Sequence, residues 1–551
     1  MSIDRLTRER LFKDETLFNQ LLPYAKYDQE FQLFVHSDAS IWSIWELDPV
    51  WITKASDADA FQLCEQIQEL VDSLDNSISL QFSWITTFDI GDTLRRCLQD
   101  YPTSGIAGWM ARRWVKSLKN AASSASYHRR PRRLRLLIGF RYDPPWQSTG
   151  KWQQFTQTLK SMFGKSVRPS SGERRREYLV FANEFRGLID GKMARMMDLG
   201  FRPRRLAGQD IIDILYPLLN RRSTKSGKYR RGRSSAIPVP EYDPAIFLAN
   251  QLSETGVDHV DNGIIKKDGR VFRTVSLAKP PKSLLPLMIT SLQSLPYENI
   301  LSVTISKDTK DAQLARLDAL DSMLGFREFT NRGRSNQKIQ HQIAAIRAAR
   351  HELYSGRSQL VRVGVHQTFI CQTEDEARRA SGEALSTFPQ LHGARGMVHE
   401  ISDLAGLINS LPGCYDPSTD GAGWTNVFRS SRGVRLFPLW GNWRGSQGAQ
   451  IVLPCLWNRE LVGFDLYDSN IAPNVLISGV SGSGKSYLLC YLLITLGRGH
   501  YSLQVNGSIV ERPPIIFVFD KGMANQPCGF EKLAKLFSGR TMRQLHLKPR
   551  R

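Results

Sequence analysis

The sequence has few cysteines, and none in a spacing that binds metal or marks a redox pair. Its seven thiols, Cys64, Cys97, Cys371, Cys414, Cys455, Cys490 and Cys528, are scattered over 551 residues without a C-x-x-C pair. An odd, widely spaced set argues against a disulfide scaffold and for reduced thiols of the cytosol. Cys490 reads as a small core residue. Long hydrophobic runs are missing as well. The longest, after Ser486, makes about one short helix, below the length of a membrane span. The start, MSIDRLTRERLFKDETLF, is charged from its fourth residue and does not resemble a secretory signal. A soluble or peripheral protein is expected. Two His-Glu pairs, His351-Glu352 and His399-Glu400, lack the second histidine that would share a helix face and bind zinc. They read as solvated helical positions. No internal repeat is evident.

Acidic residues are scarce in one quarter of the chain. The formal charge is +21, and residues 101–240 hold 30 Lys and Arg against 8 Asp and Glu, so the remainder is close to neutral. The excess comes in clusters: HRRPRRLR (128–135), GERRRE (172–177), RPRR (202–205) and RRSTKSGKYRRGRSS (221–235). The last is rich in Ser, Gly, Lys and Arg without apolar periodicity and reads as a linker. For any single cluster a solvated charged face is the commoner explanation. Four clusters in one segment favour a weak, salt-sensitive surface for nucleic-acid phosphates, an anionic membrane or an acidic partner. Tyr127, Tyr142 and Trp146 lie nearby but form no stacking module.

What is present is a phosphate-binding pattern. Gly479-Val480-Ser481-Gly482-Ser483-Gly484-Lys485-Ser486 matches G-x-x-x-x-G-K-[ST] at every fixed position. Roughly 0.02 such matches are expected by chance at average residue usage in a chain of this length. The preceding NVLISG is a short β-branched run suited to a buried parallel strand, and SYLLCYLLITLG suits a helix closed by Gly497. Glycines let successive N–H groups converge on one anion, and the helix N-terminus adds partial positive charge. Lys485 would meet the β- and γ-phosphates of ATP, and the Ser486 hydroxyl would ligate Mg²⁺. A second apolar strand, PPIIFVFDKG, ends at Asp520. Its spacing after Lys485 fits the neighbouring strand of a βαβ unit, with Asp520 at the ligand crevice. A Walker B carboxylate is not identified, and no catalytic residue is assigned.

The length allows three or four domains. Alternating runs such as FQLFV, SIWSIWEL and SISLQFSWITTF read as strands, and ADAFQLCEQIQELVDSL reads as a helix. LSVTIS and RVGVHQTFICQ are further strands. A long polar helix pattern lies between Ala312 and His351, and another helix covers DEARRASGEALSTF. From about Gly433 the sequence turns rich in Trp, Pro and turn residues and leads into the glycine loop. The expected architecture is a mixed α/β N-terminal region followed by a RecA-like P-loop domain. The expected boundaries are 1–240 (containing the basic segment 101–240), 241–430, and 431–551 for the first part of the P-loop domain.

The segments Phe18–Pro49, LVGFDLYDSNIAPNVLISGVSGSGKS and FDKG followed by FEKLAKLFSGR resemble the TraC-type ATPases, the pilus-assembly and conjugative-transfer motors of type IV secretion systems. The likeness is most specific at the glycine loop and at Leu22-Pro23-Tyr24. It implies ATP and Mg²⁺ held by Gly479, Gly484, Lys485 and Ser486, with Asp520-Lys521-Gly522 standing where the family has Asp-x-Gly. The resemblance also implies a cytoplasmic motor, peripheral at the inner membrane, hexameric when intact and partnered by the inner-membrane proteins of the secretion complex. Because the family's motor continues well past this point, the chain is expected to be truncated within it and to bind ATP with little turnover. The rival readings are a non-hydrolysing remnant or scaffold of the same machine, and a DNA-pumping coupling-type ATPase.

Overall fold

The computed structural model describes residues 17–51, 56–91, 93–94, 105–122, 130–144, 172–220, 229–230, 239–253, 255–260, 263–330, 337–356, 358–400, 402–418, 424–443, 445, 451–455, 459–464, 476–478, 480, 485, 488–489, 492, 501–505 and 508–512. The chain divides into two units. One comprises Met1–Phe88 and Arg133–Trp443, the other Asp89–Arg132 and Arg444–Arg551.

The first unit is mixed α/β around a 13-stranded sheet whose pairings are all antiparallel. In chain order its strands are β1 (Tyr24–Asp28), β2 (Leu33–His36), β3 (Ile41–Leu47), β4 (Ile78–Thr87), β5 (Arg133–Tyr142), β6 (Arg204–Arg205), β7 (Asp258–Val260), β8 (Ile264–Lys267), β9 (Arg270–Lys279), β10 (Asn299–Lys307), β11 (Leu360–Cys371), β12 (Arg395–Val398) and β13 (Thr425–Arg429). In space the main path runs β1-β2-β3-β5-β4-β10-β11-β9-β8-β7. The strands β4, β10 and β11 are buried along almost their whole length, so they read as continuous β-rich runs and not as alternating ones.

The path is a topological duplication. In the first half a meander, β1-β2-β3, is followed by β4, and β5 then inserts between β3 and β4. In the second half the meander β7-β8-β9 is followed by β10, and β11 inserts between β9 and β10. Each inserted strand is followed by a long helix, a short strand that returns to the third strand of its own meander, and a second helix. In the first half these are α3 (Gly172–Asp198), β6 on β3, and α4 (Gly208–Leu219); in the second they are α7 (Glu374–Thr387), β12 on β9, and α8 (Asp403–Ser410). The halves join through β4 and β10, in register from Leu80↔Ile305 to Thr86↔Asn299. One sheet therefore takes strands from both sides of position 240, where the basic linker had suggested a boundary.

Helices cover this sheet for local reasons. In α1 (Asp57–Asp72), Ser56 accepts from the Asp59 N–H while the Asp59 carboxylate accepts from the Ser56 N–H, a capping box contributing about 1 kcal/mol. Its buried residues Ala60, Leu63, Cys64, Ile67, Leu70 and Val71 recur at helical spacing along one stripe. By contrast α4 is apolar nearly all round, with Ile211, Ile212, Ile214, Leu215, Leu218 and Leu219 in one core with Phe34, Phe272 and Tyr24. The long polar pattern from Ala312 is two helices, α5 (Lys310–Thr330) and α6 (Gln337–Tyr354).

In the second unit, α2 (Gly105–Ala122) packs Leu118, with Trp114 and Val115 beside it, onto Val452 and Leu461. Those two residues belong to an antiparallel hairpin, β14 (Ile451–Pro454) and β15 (Leu461–Phe464). A second hairpin, β16 (Tyr501–Val505) and β17 (Ser508–Arg512), is in register from Tyr501↔Arg512 to Val505↔Ser508.

Candidate functional site

Of the glycine loop, Val480 and Lys485 are described; Gly479, Ser481, Gly482, Ser483, Gly484 and Ser486 lie outside the described residues, as does Asp520. Lys485, Leu488, Leu489 and Leu492 are helical, at the spacing of one helix face, and Leu492 is buried. Lys485 begins these positions and turns its side chain back, donating from Nζ to the Val480 carbonyl at 2.7 Å. The cation thus lies against the backbone of the segment that would receive phosphate. The strand expected before the loop is not formed at Leu476, Ile477 and Ser478, and Leu476 is 92% exposed. A parallel strand is buried only when flanked by other parallel strands and crossover helices. Among the described residues of this unit, the strands form antiparallel two-stranded hairpins and offer no such neighbours.

Of the four basic clusters, the side chains of 172–177 and 221–235 lie outside the described residues; other cations between 101 and 240 divide by use. Arg204 pairs with Glu46 and Asp210, each within 2.9 Å, and Arg205 pairs with Asp190 while lying over the Trp45 ring. Arg141, buried, binds Asp38 and Asp143 at 2.8 Å and donates to the Tyr415 carbonyl at 2.9 Å. Arg204 and Arg205 tie helices α3 and α4 to the sheet, and Arg141 ties loops to it. On α2 the cations Arg112, Arg113, Lys116 and Lys119 are exposed, and that helix carries no carboxylate.

The sheet also holds buried polar seams that no short motif announces. Ser276 Oγ on β9 lies 2.6 Å from His366 Nδ1 and bonds His399 Nε2, whose Nδ1 is 3.1 Å from Ser402 Oγ. Thr368 donates to Ser410 at 2.7 Å and lies 2.8 Å from Thr274. Burial pulls His366 down to about 3, aided by His399, and His399 down to about 4, so both rings are neutral near pH 7. A serine between two neutral, desolvated imidazoles fits positioning, not a reactive site, and the seam seats α8 on the sheet. His399, expected to be a solvated helical position, is instead buried after β12 beneath Trp424, at 4.9 Å. Its partners are 123 residues upstream and three downstream. His351 does lie exposed on α6.

The helix ends supply a second theme. Gln81 on β4 donates to the Asn409 and Leu411 carbonyls at 3.0 Å and accepts from the Gly413 N–H at 2.8 Å. Tyr24, in the segment most specific to the family resemblance, donates to the Pro412 carbonyl. Reciprocally, buried Lys267 on β8 donates to the Leu219 carbonyl at 3.0 Å and Asn220 Oδ1 at 2.9 Å, at the end of α4. In both halves a polar side chain of the sheet caps the orphan carbonyls of the closing helix.

A family model described as TraC protein matches residues 18–415, more than half of the chain. No curated protein matches it.

Proposed function

The chain belongs to the TraC protein family, whose place is in conjugative transfer by type IV secretion, and from that premise we propose that it is an ATP-binding component of the secretion machine. The observation that carries this reading is the eight-residue loop Gly479–Ser486, with the Lys485 ammonium folded over the Val480 carbonyl. A phosphate oxygen is a stronger acceptor for an ammonium than a peptide carbonyl. Lys485 would exchange Val480 for the β- and γ-phosphates, the loop amides from Gly479 to Gly484 would surround them, and Ser486 would ligate Mg²⁺. Asp520 would stand at the edge of the same crevice. Bound ATP·Mg²⁺ supplies the phosphoanhydride energy; the residues named here bind and orient it. Residues 431–551 then belong to a RecA-like domain, and the chain works at the inner-membrane face with other secretion proteins and further copies of itself.

Titration of the purified chain with a fluorescent ATP analogue and Mg²⁺ tests this. Saturable binding that Lys485→Ala weakens at least tenfold, about 1.4 kcal/mol, is expected. Binding indifferent to that substitution would sink the reading.

One observation favours a second reading. The family match ends at residue 415, before the loop, so the family-defining part is the duplicated sheet. A scaffold role would then leave co-purification with other secretion proteins unaffected by Lys485→Ala.

A further inference from the structure

The two halves of the sheet build the same corner with opposite electrostatics. In the first half β6 returns to β3 and sets Arg204 opposite Glu46, unlike charges facing across the pairing. Arg204 binds Glu46 at 2.8 Å and Asp210 at 2.9 Å, so this corner closes on carboxylates of its own chain. In the second half β12 returns to β9 and sets Arg395 opposite Lys279, just past a register shift after Leu277. Like charges facing each other across a strand pair are destabilising.

A third cation is held beside them. The Lys282 N–H donates to the His392 carbonyl at 3.1 Å, and Ser283 Oγ bonds His392 Nδ1. The Lys282 stem runs past the bare Gly393, where an added methyl carbon would lie 3.9 Å from its Cε. Lys279, Lys282 and Arg395 are exposed, and none of them forms an ion pair among the described residues. Their own segments supply no acid, because neither 269–297 nor 384–399 contains Asp or Glu. All three stand outside residues 101–240, in the part of the chain that is close to neutral as a whole. The corner is therefore a local concentration of charge and not an extension of the basic segment.

We propose that this corner receives an acidic segment of another protein of the secretion machine, whose Asp and Glu carboxylates take the places that Glu46 and Asp210 fill in the first half. The proposal rests on the reading of the chain as a component of that machine. Nucleic acid is disfavoured because residues 278–287 and 389–397 contain no Phe, Tyr or Trp on which a base could stack. An anionic membrane is disfavoured because lipid-binding clusters hold about four to eight cations, more than stand here. Leu285, 42% exposed in the same loop, offers contact to an apolar side chain of the partner. Exposed ion pairs are weak one by one and screened by salt. Several carboxylates on one extended stretch act together and speed the encounter. Keeping Lys279 opposite Arg395 costs the free chain stability, a cost that bound carboxylates reverse.

The test is the fluorescence anisotropy of a labelled peptide of alternating Glu and Ser with the full chain, at low and at high salt, beside the same peptide with Gln for Glu. The expected result is binding of the acidic peptide that falls with salt and that Lys279→Gln/Lys282→Gln/Arg395→Gln weakens at least tenfold. Arg395→Glu recreates the unlike pair of the first half, so its denaturation midpoint should hold or rise while peptide binding falls. Titrating the same variants with the fluorescent ATP analogue separates this proposal from the nucleotide reading. They should bind it as wild type does, and Lys485→Ala should keep the peptide; lost nucleotide binding with the peptide still bound would sink the nucleotide reading alone. No binding of the acidic peptide, binding unmoved by the triple variant, equal binding of the Gln peptide, or an Arg395→Glu midpoint below wild type would each overturn the proposal. A triple variant that loses only its binding to phosphatidylglycerol vesicles would assign the corner to lipid instead.

Discussion

At the scale of single residues, the sheet is held by polar groups that are costly to bury and therefore sensitive to change. Removing the Ser276 hydroxyl leaves two buried imidazole nitrogens without their partner, so Ser276→Ala should destabilise the first unit by about 1–3 kcal/mol. Chemical denaturation at pH 7.5 would measure it, and a loss below a few tenths of a kcal/mol would show that the seam is not structural. The same seam sets an acid limit. Burial holds His366 down to about 3 and His399 to about 4, and outside the seam it holds His36, at the end of β2, down to about 3, against an ordinary 6.5. The folded state thus binds fewer protons than the unfolded chain once pH drops below 6.5, and stability falls with pH. The contribution is fully present above pH 6.5 and is lost progressively toward about pH 3. Denaturation midpoints at pH 7.5, 6 and 5 should fall in that order. A flat profile would mean that these rings are not buried and neutral. None of this was legible in the sequence, because Ser276, His366 and His399 come from separate segments and look like ordinary polar residues in each. Reading His399-Glu400 as a solvated helical pair failed for that reason: local spacing cannot report burial created by a strand 123 residues away.

At the scale of elements, the sequence was readable where the pattern is local. The stretches FQLFV, SIWSIWEL, SISLQFSWITTF, LSVTIS and RVGVHQTFICQ each contain or overlap a strand of the sheet, and ADAFQLCEQIQELVDSL forms α1. Order within the sheet was not readable, since β5 is inserted between β3 and β4 by contacts across long sequence separations. The insertion needs a bare Cα at Gly139, where an added methyl carbon would come within 2.9 Å of the Trp42 ring. Gly139→Ala should cost about 1–3 kcal/mol by overpacking, read as a lower denaturation midpoint with little change in secondary structure; an unchanged midpoint would place Trp42 elsewhere. Helix ends give a companion case. Lys267→Met keeps the bulk but leaves the Leu219 carbonyl without its ammonium, with an expected loss of about 1–3 kcal/mol. The β16–β17 hairpin was missed although Asn506-Gly507 stands between its strands, the strongest short signal for a two-residue turn.

At the scale of the whole molecule, two features set this chain apart. One is the duplication of the sheet, invisible to a search for repeats because the halves share strand order, insertion point and the order of helices but no residue pattern. A twofold-like fold can persist when only burial and topology are kept, since many apolar sequences fill the same pleated positions. The other is the glycine loop, whose motif was legible at once because its chemistry fixes residue types at fixed spacing. The loop lies outside the region that marks the family, so its contribution to transfer must be measured directly. The decisive measurement is conjugation frequency in donor cells lacking this chain, complemented by wild type or by Lys485→Ala at equal protein levels. Wild type is expected to restore transfer, and Lys485→Ala to leave it at the level of the uncomplemented strain. Full restoration by Lys485→Ala would contradict nucleotide binding as the chain's working role and leave the duplicated sheet as its functional part.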